Sequence, residues 1–364
     1  MIRDKGILIR NVFYMLSYAF QVLQQTNYKN VAAEDFEQAE DLMAAILEKG
    51  VGQQLKQGLH KEYIPKRDVL PTIRGKIDLS GTIQEYLQQR KRIACEYDEL
   101  SENNIFNQIL KATILELLGS RKVSIERKHG LKKELLYFSN VDEIKVNSIQ
   151  WSRLQISRNN RSYEMLMNIC RLTLEGMLQT TDEGKNRLPN FLDDNMAGLY
   201  ERFVREYYKQ HYGKWLEVSA AEVKWDVSGG DKDGMIKFLP KMRTDITLRD
   251  RKNRQRVHII DTKYYSRQMQ YHFDKPTYHN QNIYQIFAYV KNEDVMGRGD
   301  VSGMLLYAKT EEDIGADGET ELGGNILSVR TLDLNQSFSE IASQLDQIVL
   351  DYFGEEVVAE KRES

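Results

Sequence analysis

The chain has 364 residues, 41% of them apolar and 29% charged, with a formal net charge of −3. That length allows two or three domains with sizeable cores, and the composition excludes a disordered chain. The charge balance excludes a protein that wraps DNA through overall basicity, so any nucleic-acid contact must come from a local basic patch or be shared with a partner.

Cys95 and Cys170 are the only cysteines. Their separation fits neither a zinc site nor a disulfide framework, and a reducing, cytoplasmic setting is expected. No apolar run reaches the length of a membrane span. The start, "MIRDKGILIRNVFYMLSYAFQVLQQ", has the outline of a signal peptide, but Arg10 and Asn11 interrupt its apolar stretch and no small-residue cleavage site follows. An amphipathic helix from about Asn11 is the expectation.

Residues 11–58 read as helices, with Phe13, Leu16, Tyr18, Phe20 and Leu23 at roughly helical spacing, then Phe36, Leu42, Ile46 and Leu55. "EYIPKRDVLPTIRGKIDLS" (62–80) alternates in character and carries two prolines and a glycine, which predicts strands broken by a turn. A strand is expected at 92–100. Ser101-Glu102-Asn103-Asn104 then offers cap chemistry for a helix burying Ile105, Ile109, Ile114 and Leu118. The Arg- and Lys-rich region 121–162 reads either as a solvated connecting surface or as a phosphate-contacting face. A helix follows at 163–179, and the polar "QTTDEGKNRLPN" (179–190) is the expected domain boundary.

The second half alternates more regularly. A helix is expected at 195–209, strands near 215–226, 241–249 and 256–264, a helix at 277–291, and strands at 301–309 and 325–333. The final helix opens on Ser337-Phe338-Ser339-Glu340, a capping box. This rhythm predicts a mixed sheet flanked by helices. The chain contains no G-x-x-x-x-G-K-[ST], so it should not hydrolyse nucleotides by itself, and "GADGETELGGN" (315–325) reads as a polar loop.

The stretch "RTDITLRDRKNRQRVHIIDTKYY" (243–265) carries the chemistry. Strand side chains repeat every two residues, so Asp245 and Thr247 share one face, as do Val257, Ile259, Asp261 and Lys263. With a short polar turn between them, the two runs predict a hairpin that brings Asp245 and Asp261 together beside Lys263. Two adjacent carboxylates repel unless a cation lies between them, and hard oxygen ligands of this kind suit Mg²⁺. Such an ion polarises a phosphodiester and acidifies a bound water, and a lysine on the same face can orient that water. The ordinary alternative is that Asp261 ends a strand and Lys263 reaches solvent. On the following helix, "YHNQNIYQIFAYV" (278–290), Gln281, Gln285 and Tyr289 recur every four residues beside a buried face of Ile283, Ile286, Phe287 and Val290. They read as a site wall or as a solvated rim. Glu201 in "AGLYERFV" is a further metal ligand or a solvated helix residue. His258 reads as a packed strand residue, and His272 and His279 as weak phosphate contacts.

"RTDITL", "IIDTKYY" and "QNIYQIFAY" together resemble the PD-(D/E)xK nuclease core, with Asp245 as the first acid and Asp261-Thr262-Lys263 as the D-x-K. The whole chain resembles the McrC family, the endonuclease subunit of McrBC-type 5-methylcytosine-dependent restriction systems. The matching pieces include "IRNVFYMLSYAF" (9–20), "DVLPTIRGKIDL" (68–79), "YDELSENNIFNQILKATI" (97–114) and "LPKMRTDITL" (239–248). It departs from the nuclease pattern in Thr244, which stands where a proline is common, and the spacer Thr262 is uninformative.

The resemblance implies an α+β N-terminal region (1–180) that docks into an AAA+ ring, followed by an α/β PD-(D/E)xK restriction-endonuclease-like domain (190–364), a mixed sheet flanked by helices. It also implies Mg²⁺ as cofactor, a McrB-like AAA+ GTPase hexamer as partner whose GTPase the chain stimulates, and double-stranded DNA with modified cytosine as substrate. Arg67 and Arg74, in a projecting hairpin at 64–75, are candidate docking residues or ordinary salt-bridged arginines. Two other readings stay open: a non-catalytic adaptor of an AAA+ NTPase, and a stand-alone DNA-repair nuclease.

Overall fold

The computed structural model describes residues 3–4, 7–20, 23, 28, 31, 34, 36–157, 160, 162–181, 190–227, 229, 234–264, 269–272, 275–309, 317–355 and 357. The core of the expected boundary at 179–190, residues 182–189, lies outside them. The chain divides into two compact units, one made of Met1–Glu37 and Lys185–Ser364, the other of Gln38–Gly184.

This division differs from the expected split at 1–180. The short strands β1 (Arg3–Asp4) and β2 (Ile7–Leu8) and helix α1 (Ile9–Ala19) belong with the C-terminal half. The reason is a set of specific long-range contacts. Asn11 Nδ2 donates to the carbonyls of Leu334 and Gln336, at 2.7 and 2.9 Å. Tyr14 and Tyr18 stack on Phe338, and the Tyr18 ring lies edge-on to Phe203. A helix that buries Val12, Phe13, Met15 and Leu16 is pulled to whichever core accepts that face.

In the second unit, α2 (Ala39–Gln57) buries a continuous stripe from Leu42 to Leu47 and then Gly50 and Val51. A three-stranded antiparallel sheet follows, built from β3 (Glu62–Leu70), β4 (Lys76–Ile77) and β5 (Ile93–Ser101). Its order is β3-β5-β4, so the 64–75 segment is not a hairpin: β3 and β4 pair with opposite edges of β5. Gly75 makes the crossing feasible. Its φ is +68°, and a Cβ there would meet the Glu96 carbonyl oxygen at 2.5 Å. Between β4 and β5 lies α3 (Leu79–Leu87), capped by Asp78, which accepts from the Gly81 N–H. The sequence pattern predicts strands broken by a turn over 62–80, which takes in only the first two residues of this helix.

Next come α4 (Ile105–Gly119), capped by Asn104 from the expected 101–104 segment, α5 (Ile125–Leu135) and α6 (Tyr163–Thr181). Helix α5 falls in the basic region read as a connecting surface or a phosphate-contacting face. It packs on α2, and two of the local cations are engaged there, Arg127 with Glu48 at 3.2 Å and Lys122 with Glu40 at 2.8 Å.

The first unit resumes with α7 (Asn190–Tyr212), then β6 (Leu216–Ser219), β7 (Glu222–Val223), β8 (Met242–Arg243), β9 (Ile246–Asp250) and β10 (Val257–Lys263). A small hairpin of β11 (Met269–His272) and β12 (Lys275–Tyr278) leads into α8 (Asn280–Glu293). Strands β13 (Val301–Ala308), β14 (Gly318–Leu322) and β15 (Asn325–Leu332) precede α9 (Phe338–Phe353), which carries the expected capping box at Ser337 and Glu340. Six strands form one mixed sheet in the order β14-β15-β13-β10-β9-β6. The β10–β13 and β13–β15 pairs are parallel and the others antiparallel. Within 315–325, expected as loop, Gly318–Leu322 is instead the fully exposed strand β14, which pairs with β15, the strand expected at 325–333.

One core of this unit lies between the sheet and α8. Val257, Ile259, Leu305, Tyr307 and Leu327 meet Ile286, Tyr289 and Val290 there. Full burial of each aliphatic side chain stabilises the fold by about 1.5–3 kcal/mol. Gly303 lets α8 approach closely, since a Cβ at that position would lie 2.6 Å from Val290 Cγ2 and 2.8 Å from Ile286 Cγ1. None of the described helices is long and apolar enough to cross a membrane.

Candidate active site at the end of a hairpin

Strands β9 and β10 pair antiparallel with Ile259 opposite Thr247 and Ile260 opposite Ile246. Asp250 closes the intervening turn, its Oδ1 accepting from the N–H groups of Lys252 and Asn253 at 2.7 and 3.2 Å. One residue past the paired segment, Asp245 stands at the end of β9 and Asp261 at the corresponding level of β10. The register therefore brings together the two carboxylates that the period-two pattern placed on matching faces.

Asp261 is only 1% exposed, and its Oδ2 lies 2.6 Å from Lys263 Nζ. Burial pushes the Asp261 carboxyl up to about 6; Lys263 opposes that rise, while Asp245 and Glu201 add to it. Asp245 Oδ2 accepts two hydrogen bonds from Thr262, from the backbone N–H and from Oγ1, both at 2.8 Å. Lys263 Nζ also donates to Gln285 Oε1 at 3.1 Å, and Gln285 Nε2 donates to Tyr289 Oη at 2.8 Å. The one-turn spacing of Gln285 and Tyr289 on α8 thus extends a polar chain from Asp261 through Lys263 into the core. Burial raises the Tyr289 phenol, the Gln285 hydrogen bond opposes the rise and the Asp261 and Asp245 charges add to it, so the group that accepts from Gln285 stays neutral.

Other expected residues are placed differently. Gln281 is exposed, and Ile283 and Phe287 only partly buried. Glu201 pairs with Arg205 at 2.5 Å along α7, and Arg205 also reaches the Asp245 carbonyl at 3.4 Å. Burial and then the Asp245 charge raise the Glu201 carboxyl, so it shares the field of the site. It does not complete a cage: among the described residues, no three Asp, Glu, His or Cys side chains come together in a way that could hold a metal ion. His258 points away from Asp261, its Nδ1 2.8 Å from Ser302 Oγ and its ring stacked on Tyr352. Burial lowers it to about 3, which keeps it neutral. In the second unit, Arg67 pairs with Glu96, and Arg74 lies over the Tyr97 ring and 3.5 Å from Glu99. Three contacts had no sequence signal: Thr262 on Asp245, Arg205 between Glu201 and Asp245, and buried Asn282 donating to Tyr307 Oη at 3.0 Å.

The donor chemistry suits a hard divalent cation. Asp245 and Asp261 each have one oxygen engaged by a neighbour, and a small ion of this kind is commonly held by one or two carboxylates with water and phosphate oxygens completing its shell. Lys263 supplies positive charge at the same point.

A mixed α/β sheet that ends in two acids and an amine against a helix defines a protein with a compact, charged cluster at one strand end. The chain belongs to the family described as McrBC 5-methylcytosine restriction system component, which matches residues 4–308. It is 25% identical over 348 residues to the type IV methyl-directed restriction enzyme EcoKMcrBC of Escherichia coli strain K12, covering 95% of this chain and 98% of that protein. Among solved structures it is similar to a half-complex from a tetradecameric assembly of Thermococcus gammatolerans McrB AAA+ hexamers with bound McrC, at 16% identity and a TM-score of 0.49, over 93% of this chain and 76% of that one. A second structure, the Thermococcus gammatolerans McrBC complex, is similar at 19% identity and a TM-score of 0.42, over 57% of this chain and 60% of that one.

Proposed function

We propose that this chain is the DNA endonuclease subunit of a McrBC-like, modification-dependent restriction complex, with a PD-(D/E)xK-type site. It cuts double-stranded DNA carrying modified cytosine when assembled with a GTP-hydrolysing AAA+ hexamer, whose hydrolysis it stimulates, and it works in the cytoplasm. The observation that carries this reading is the convergence of Asp245, Asp261 and Lys263 at one strand end, with Lys263 Nζ held between Asp261 and Gln285.

Asp245 and Asp261 would hold Mg²⁺, which when bound polarises the scissile phosphate and acidifies a water. The chain's own groups do the rest. Asp261, buried and raised by desolvation, favours any arrangement that brings positive charge to it. Lys263 is kept in line by Gln285, so its ammonium can orient the attacking water and offset the charge that gathers on the phosphoryl oxygens. Lys263, a donor only, requires the Gln285 amide oxygen, which turns the amide nitrogen to donate to Tyr289 Oη. Water adds to phosphorus as the bond to one ester oxygen breaks.

Partner docking is assigned to the second unit. Helix α3 has no buried residue, and Leu79, Ile83, Tyr86 and Leu87, together with Tyr63 on β3, expose large apolar side chains. Arg67 on β3 and Arg74 in the β3–β4 connection are both engaged with residues of β5.

The test uses the purified chain with methylated and unmethylated plasmid, Mg²⁺ and GTP, with and without the AAA+ partner. Cutting is expected for methylated DNA with partner present, and Asp261→Ala or Lys263→Ala should abolish it while folding and GTPase stimulation persist. Retained cutting in either variant refutes the site. GTPase stimulation by a wild-type chain that never cuts leaves only an adaptor.

A further inference from the structure

We propose that Thr262, the residue between Asp261 and Lys263, is a positioning residue that sets which oxygen of Asp245 faces a divalent cation. The inference rests on the nuclease reading above and adds a role for a position that motif reading leaves blank.

The argument begins with the end of the ladder. β9 and β10 are paired as far as Ile246 and Ile260. Beyond that point the Thr262 N–H donates to the Asp245 side chain in place of a backbone carbonyl, and the Thr262 hydroxyl donates to the same oxygen, both at 2.8 Å. Two donors converging on Oδ2 fix the plane of the carboxylate. Oδ1 accepts none of the hydrogen bonds found among the described residues, so it is the oxygen presented for coordination. Both sides of this clamp are rigid. Thr262 is mostly buried and lies opposite Leu306 in the parallel β10–β13 pairing. Thr244, just before Asp245, donates its N–H to the Ala221 carbonyl at 3.0 Å, and its Oγ1 is 2.8 Å from Thr247 Oγ1.

A threonine in a strand needs no function, because β-branched residues suit strands. What distinguishes this one is that its hydroxyl points at an acidic side chain beside a second buried acid. The carboxylate is thereby held ready for a cation before any cation arrives, which spares it reorganisation on binding.

The test is a calorimetric titration of the full chain with Mn²⁺ in the absence of DNA and partner. Thr262→Val keeps shape, β-branching and the backbone donor and removes only the hydroxyl. Loss of a hydrogen bond to a charged group is expected to weaken Mn²⁺ affinity on the order of ten- to a hundredfold. Thr262→Ser should restore it. In the assembled complex, the Mg²⁺ concentration for half-maximal cutting should rise for the valine variant, with the rate recovering at saturating Mg²⁺. A merely structural role would lower the rate and the unfolding midpoint without moving that concentration. Should the valine variant misfold by near-UV circular dichroism, Thr262→Ala reads the same loss. Wild-type Mn²⁺ affinity in the hydroxyl-less variant overturns the proposal, as does failure of serine to rescue. Asp245→Ala and Asp261→Ala separate the two levels: if they too bind Mn²⁺ like wild type, or if wild type binds none, the metal assignment itself fails.

Discussion

Replacing Asp261 by asparagine should make the protein more stable at neutral pH while removing its activity. Burial raises the folded-state carboxyl from 3.8 to about 6. The folded protein therefore binds that proton more tightly than the unfolded chain does. Between those two values the folded state holds more protons, so stability falls as pH rises through this window, and the full cost is present above it. At about 1.4 kcal/mol per pKa unit, a rise of about two units corresponds to roughly 3 kcal/mol. The pull of Lys263 is already contained in that figure, because it opposes the rise. Asparagine stands in for the neutral acid at every pH, so Asp261→Asn should gain about 3 kcal/mol at pH 7 and lose that advantage below about pH 4. Urea unfolding with a chelator present, followed by tryptophan fluorescence at both pH values, measures the difference; Trp215 and Trp225 report on the unit that holds the site. A competing effect runs the other way. Removing one partner of a buried ion pair can cost about 3–5 kcal/mol when the other charge is left without compensation. Lys263 keeps Gln285 as an acceptor, which argues that desolvation of Asp261 dominates. An asparagine variant less stable than wild type at pH 7 would refute that reasoning.

Glu134 in α5 presents a similar case in the other unit: burial, then the Glu48 charge, raise its carboxyl to about 8, and its Oε2 has no hydrogen-bond partner among the described residues. Its contribution to stability falls as pH rises from its ordinary value through about 8, so Glu134→Gln should raise the urea midpoint of this unit at pH 8.5 and change it little at pH 4. Gly303→Ala should cost about 1–3 kcal/mol by urea unfolding, because its methyl group meets Val290 and Ile286 below contact distance. The same variant should slow DNA cutting by moving α8, and with it Gln285, away from Lys263.

The second half of the chain was readable because its side-chain periods and cap residues agree with its packing. The β9–β10 hairpin follows from two alternating runs joined by a turn whose Asp250 is suited to close it, and α9 from a capping box that the structure contains. Elements that break the link between pattern and burial were missed. Helix α3 exposes its apolar residues, α5 is dense in charge, and β14 is a fully exposed edge strand in a glycine-rich stretch. The juxtaposition of Asp245, Asp261 and Lys263 was legible because a period of two and a short turn fix it. The clamp by Thr262 was not, because it depends on where a ladder stops, which no local pattern records. The attachment of α1 to the C-terminal half was equally hidden, since its partners lie in α7 and around α9, on the far side of the second unit in sequence.

That attachment shapes how the molecule can be made. Asn11 is secured by carbonyls at positions 334 and 336, 323 and 325 residues downstream. During synthesis residues 38–184 emerge whole before the leading helix can meet α7, on which its apolar face packs, and before the residues that secure Asn11 and stack on Tyr18 leave the ribosome. A deletion of the first 37 residues, which looks on paper like trimming a docking region, would instead open the domain that holds the acids.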